Sequence, residues 1–167
     1  MRPDVRAVAN YIHDKAIADC IFLDHMKLQK LAYIAHGWHL AITGQPLFFN
    51  RVEAWKYGPV IPDLYQEFRE SGAAGIDHFA RRPTVDGGSE EWTLDGEEES
   101  KRVIDGVWNS YKQFSGVQLS SMTHQKGTPW ALARTKATGN RSGPVIDPES
   151  IRKHYLELAA KNRERKA

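Results

Sequence analysis

His36 and His39 stand three positions apart, so on a helix they share one face. With His124 they could offer zinc three nitrogen ligands. No acid completes a recognised ligand spacing, no H-E-x-x-H occurs, and Cys20 is the single cysteine. Both histidines also flank Trp38 in a strongly apolar stretch, where hydrogen-bonded imidazoles are the simpler reading. No metal and no cofactor is expected. Nucleophilic catalysis has no better support. There is no G-x-S-x-G, and Gly87-Gly88 lies in a polar loop instead of joining a strand to a helix. No catalytic residue is assigned. Cys20, beside Ile21, Phe22 and Leu23, reads as a small buried hydrophobe more readily than as a reactive thiol.

The stretch best suited to binding is Trp55-Lys56-Tyr57-Gly58-Pro59. Trp and Tyr offer large rigid contact areas, and a tight turn would hold them in place. A partner strand could also add to an open extended arm. The competing reading is structural: Trp55 and Tyr57 close the core under a following helix. Packing is preferred for Trp55, while both readings stay open for Lys56 and Tyr57. His124 and Trp130 complete the candidate set. In Thr123-His124…Pro129-Trp130 they most simply join two short helices, with His124 satisfying a loop carbonyl.

These residues must be positioned by the densest apolar run, Leu28 to Phe68. Leu28, Leu31, Ala32, Ala35, Trp38 and Ile42 form one helical stripe, and Met26, Tyr33, Ile34, Leu40 and Ala41 fill the opposite surface. A helix apolar nearly all round is a buried one. Asp24 is a suitable N-cap, and Gly44 followed by Pro46 a suitable stop, so a buried helix is expected from about Lys27 to Thr43. Gly37 inside it costs about 1 kcal/mol relative to Ala, which a close crossing by another element would explain. Phe48 to Tyr57 reads as a short buried strand or arm, and Pro62 with Asp63 opens a helix whose inner face is Leu64, Tyr65 and Phe68.

Elsewhere, residues 4–18 pattern as an amphipathic helix, and residues 71–91, rich in Gly and Pro, as a mobile loop. Trp92-Thr93-Leu94 is a β-prone island expected to pair with the Arg51–Tyr57 arm as a small antiparallel ribbon. Asp95 and Glu98 have capping-box spacing at the head of a helix through Val103, Ile104, Val107, Trp108 and Tyr111. Ser115-Gly116 should break that helix, Leu119 and Met122 suggest a short one ending near His124, and Thr128-Pro129 should start another. A loop at ATGNRSGP should follow, then a last helix capped by Asp147 with Ile151, Tyr155, Leu158 and Ala159 inside. Residues 160–167 form a basic tail.

The whole is a mainly α chain with a small antiparallel β ribbon, one compact domain over residues 1–167 around a buried central helix. Its 41% apolar and 26% charged residues suit a soluble globular fold. A net charge of +2 gives no strong nucleic-acid footprint. A lone cysteine fits a reducing compartment. No apolar run reaches the roughly 18 residues of a membrane span and no signal-peptide pattern opens the chain, so the cytoplasm and no membrane partner are expected.

KLQKLAYIAHGWHLAITGQPLF, then EAWKYGPVIPDLYQEF, then Thr123-His124 and Pro129-Trp130, resemble the SocA-like antitoxin family, or Panacea domain, over roughly residues 5–160. The resemblance implies a bacterial or phage antitoxin that neutralises a cognate toxin by direct contact, with no enzymatic activity. In the SocA branch it also implies an adaptor presenting the toxin to a Clp protease. Two alternatives stay open: a DNA-binding regulator of phage or mobile-element origin, and a metal-dependent enzyme using His36, His39 and His124. Against the first, no candidate recognition helix is rich in Arg, Lys, Asn and Gln; the one after Pro62 carries Asp63, Gln66, Glu67, Arg69 and Glu70.

Overall fold

In the computed structural model, which describes residues 2–136 and 143–167, everything is arranged around α2 (His25–Thr43). The Asp24 carboxylate accepts from Lys27 N at 2.7 Å, closing its N-terminus. Gly44, at φ 72°, ends it by donating its N–H to Leu40 O. From Leu28 to Leu40 nearly every side chain is buried, polar ones included. Two expectations fail at its ends: Ile42 is 65% exposed and Met26 37% exposed. The covering elements shield these end positions only in part, so the apolar periodicity runs past full burial.

Helices α1 (Val5–Ala18), α4 (Glu98–Tyr111), α5 (Gly116–Thr123) and α7 (Pro148–Lys166) pack directly on α2. Gly37 is the close crossing: a Cβ there would lie 2.1 Å from the Tyr155 ring of α7. Local signals start most of these helices. Asp4 caps α1, Ser115 and Gln118 form a reciprocal capping box on α5, and Asp147 precedes Pro148 in α7. Thr128 caps α6 (Pro129–Thr135) in the same way. The expected box at Asp95 does not form. Helix α4 begins later, at Glu98 behind Glu97, because Gly96 at φ 75° turns the chain and Asp95 instead accepts from Thr93 Oγ1 at 2.7 Å. In α7, Ile151 and Tyr155 are buried, Leu158 and Ala159 half-buried, and residues 160–167 exposed.

The ribbon is not the expected one. The arm folds back on itself: β1 (Glu53–Trp55) pairs antiparallel with β2 (Gly58–Val60) across Lys56-Tyr57, in the register Trp55↔Gly58. Gly58 at φ 114° permits so short a connection. The outer side of β1 is taken by the chain before α7, with Ala54 N donating to Pro144 O and Ile146 N to Val52 O, each at 2.8 Å. Trp92-Thr93-Leu94 therefore has no place beside β1. It follows a second hairpin, β3 (Arg81–Pro83) with β4 (Ser89–Glu91). Residues 71–91 thus hold that hairpin and a 3-10 turn, Gly72–Ala74. Helix α3 (Pro62–Phe68) buries Leu64 and Phe68 and leaves Tyr65 half-buried.

Cys20 also departs from expectation: it is exposed. The chain leaves α1 through a left-handed residue at this position, φ 52°, and the turn directs the thiol outward. Most of the ATGNRSGP segment lies outside the described residues.

Candidate functional site

The β1–β2 hairpin is held by side chains from helices distant in sequence, each donating to one of its backbone oxygens. Lys30 Nζ reaches Pro59 O at 2.8 Å, and Ser120 Oγ reaches Tyr57 O at 2.6 Å. Trp130 Nε1 donates to Trp55 O at 2.6 Å and Arg134 Nη1 to Ala54 O at 3.0 Å. Gln29 fixes the end of β2, its amide bonding both N and O of Ile61. A hairpin this short is marginal alone, so these tertiary donors set its geometry.

All seven candidate residues meet here. The Trp55 ring packs on Tyr65 of α3 with centroids 4.9 Å apart, and its Nε1 donates to Glu53 Oε2 at 2.7 Å, so Trp55 packs as expected. Tyr57 is 63% exposed, with the Lys56 ammonium 5.3 Å above its ring. Gly58 and Pro59 are buried. Trp130 meets His124 edge to face at 5.3 Å, and His124 Nδ1 donates to the Ser120 carbonyl.

Beside the hairpin lies a cleft of about 360 Å³ whose lining includes His25, Met26, Lys30, Trp55, Tyr57 and Tyr65. Gln29 and Lys56 also line it, and Met26 on its wall is 37% exposed. Lys30 is 2% exposed. Burial alone pushes its ammonium down to about 8, and no ion pair involves it among the described residues. Burial lowers the His25 imidazole too; the Lys30 charge adds to this and Asp24 opposes it. His25 Nε2 is buried without a hydrogen-bond partner among the described residues.

His25 and Lys30 were not among the sequence candidates. The available signal was α2 itself: in a helix apolar nearly all round, the polar residues are buried as well, and a buried lysine needs a reason.

The three candidate ligands are not brought together as a metal site. His36 stacks on Phe48 at 4.2 Å, and burial holds its imidazole down to about 3. His39 donates from Nδ1 to Gln45 O at 2.7 Å, while His124 is engaged at the end of α5. Among the described residues, no group of three His, Cys, Asp or Glu side chains could hold a metal ion. Helix α3 uses its acids internally, Asp63 accepting from Asn50 and Glu67 from Arg6. No helix among the described residues is long and apolar enough to cross a membrane.

The family described as antitoxin SocA-like, Panacea domain, matches residues 28–131, from α2 to the start of α6. Antitoxin SocA of Caulobacter vibrioides (strain NA1000 / CB15N) is 36% identical over 128 residues, covering 76% of this chain and 68% of that protein. No solved structure matches. On this likeness, whose family match takes in most of the central helix and both hairpins, the chain belongs to the antitoxin SocA-like, Panacea domain family.

Proposed function

We propose that this chain is an antitoxin that neutralises a partner toxin by direct protein–protein contact, in the cytoplasm and without catalysis. The observation that carries the reading is the 36% identity to an antitoxin over three quarters of the chain. The mechanism is steric: a face complementary to the toxin covers what the toxin uses. The tip of the first hairpin suits that task. Lys56 and Tyr57 stand exposed on a turn held by α2, α5 and α6, so they present contact area at little entropic cost.

Co-expression with the adjacent reading frame tests this. The neighbour alone should arrest growth, and this chain should restore growth and co-purify with it. Tyr57→Asp and Lys56→Asp, both at exposed positions, should keep the fold and lose rescue. A harmless neighbour, or full rescue by both variants, would remove the antitoxin role or the assigned face respectively. As part of the same proposal, the bound toxin is delivered to a Clp protease. The toxin's half-life should then shorten when this chain is present and lengthen in a Clp-deficient host.

A further inference from the structure

Two polar groups in the cleft beside the first hairpin have no full account within the fold. The Lys30 ammonium carries three protons and has one acceptor, Pro59 O, at 2.8 Å. It is 2% exposed and has no carboxylate partner among the described residues. His25, 9% exposed, has Nε2 buried with no partner among the described residues. A buried cation without a counter-charge, and a buried polar atom without a bond, each work against stability. Both residues line the same cleft, whose other walls include Met26, Gln29, Trp55, Lys56, Tyr57 and Tyr65.

We propose that this cleft receives an acidic side chain, a glutamate or aspartate flanked by apolar residues, from the partner protein. The inference rests on the antitoxin reading and deepens it. A carboxylate would complete Lys30 and accept from His25 in the tautomer bearing its proton on Nε2. Apolar neighbours of that acid would lie on the aromatic walls and on Met26, shielding the pair from water. Charge selects the occupant. A basic anchor meets Lys30 inside and Lys56 at the mouth, and a purely apolar one leaves both polar groups unmet. A chain-terminal carboxylate is the poorer match, because such groups are captured by runs of backbone amides. Here the adjoining backbone is Gly58-Pro59, and proline has no N–H.

The test uses the full chain and two capped peptides, acetyl-Leu-Glu-Leu-amide and acetyl-Leu-Gln-Leu-amide, followed by NMR of the lysine Nζ and histidine ring signals. The glutamate peptide should shift Lys30 and His25, raise the pH at which Lys30 titrates, and bind at least about tenfold more tightly than its glutamine twin. Lys30→Met should abolish that preference. Equal affinities, signals at Lys30 and His25 that neither peptide moves, or a preference surviving in Lys30→Met would overturn the proposal. The Lys30 titration in the unmutated chain decides the question even if Lys30→Met fails to fold. Growth rescue separates the two ideas. Rescue by wild type and equally by folded Lys30→Met sinks the acidic anchor and spares the antitoxin. Peptide discrimination without any rescue does the reverse.

Discussion

The chain builds the same small motif twice and secures it by opposite means. Both hairpins pair three-residue strands. The first is buried along both strands apart from Trp55, which is half-buried, and donors from α2, α5 and α6 grip its carbonyls. The second is exposed along both strands. It is laced by its own charges: Arg81 pairs with Glu91 at 3.2 Å and Arg82 with Glu90 at 2.7 Å. Only its base is anchored, where buried Asn10 of α1 bonds Ala80 N, Ala80 O and Trp92 O. Local conformation is alike in the two, yet the shape of one belongs to the core and that of the other to surface electrostatics.

The contrast should show most strongly at Gly58. Its φ of 114° is unfavourable for any side chain, and a Cβ there would come within 3.0 Å of Lys30 Nζ. Gly58→Ala should lower unfolding free energy by about 2–3 kcal/mol in a denaturant titration, because the strain is transmitted to α2. Next comes Asn10→Ala, which leaves buried backbone groups unpaired at the base of the second hairpin. It should cost about 2 kcal/mol and raise amide exchange around Ala80 and Trp92, with the first hairpin's amides unchanged.

A smaller, pH-dependent effect follows from Lys30. Its ammonium titrates near 8 when folded and near its ordinary 10.5 when unfolded. Between these values the unfolded chain holds more protons, so stability should rise with pH from about 8 to 10. Above that range buried Tyr33 and Tyr155, both shifted upward, work the other way. Lys30→Met should flatten the rise. It should leave untouched the share of the acid-side loss, as pH falls from 6.5 toward 3, that His36 contributes by having to take up a proton in the core. The smallest effect belongs to the exposed ladder. Arg82→Gln should cost no more than about 0.5 kcal/mol, and even that should vanish in molar salt. A large loss there would break the comparison.

The parts legible in the sequence were those a few neighbouring residues decide. Asp24, Thr128-Pro129 and Asp147-Pro148 each start a helix through a bond or a fixed φ inside one turn. Gly37 correctly signalled a close crossing, though not that Tyr155 makes it. What misled was non-local. The partner of β1 depended on a turn at Gly58 and on the chain near Pro144, and neither is encoded in the arm's own alternation. Ile42 and Cys20 sit in apolar sequence, yet the fold leaves both exposed. The seven candidate site residues do converge, because the hairpin and the α5–α6 junction share hydrogen bonds. The two groups deepest in the cleft were hidden by being charged or polar in a helix read for its apolar stripe.

The seat of Tyr155 on Gly37 has a bearing on how the chain is made. The most apolar helix is made about 100 residues before the helix that seals it. Throughout translation the stickiest surface of the molecule waits uncovered for a lid not yet synthesised. A product cut short before Pro148 would therefore be a substrate for chaperones and proteases, so truncation should remove the protein from the cell instead of leaving a weakened form behind.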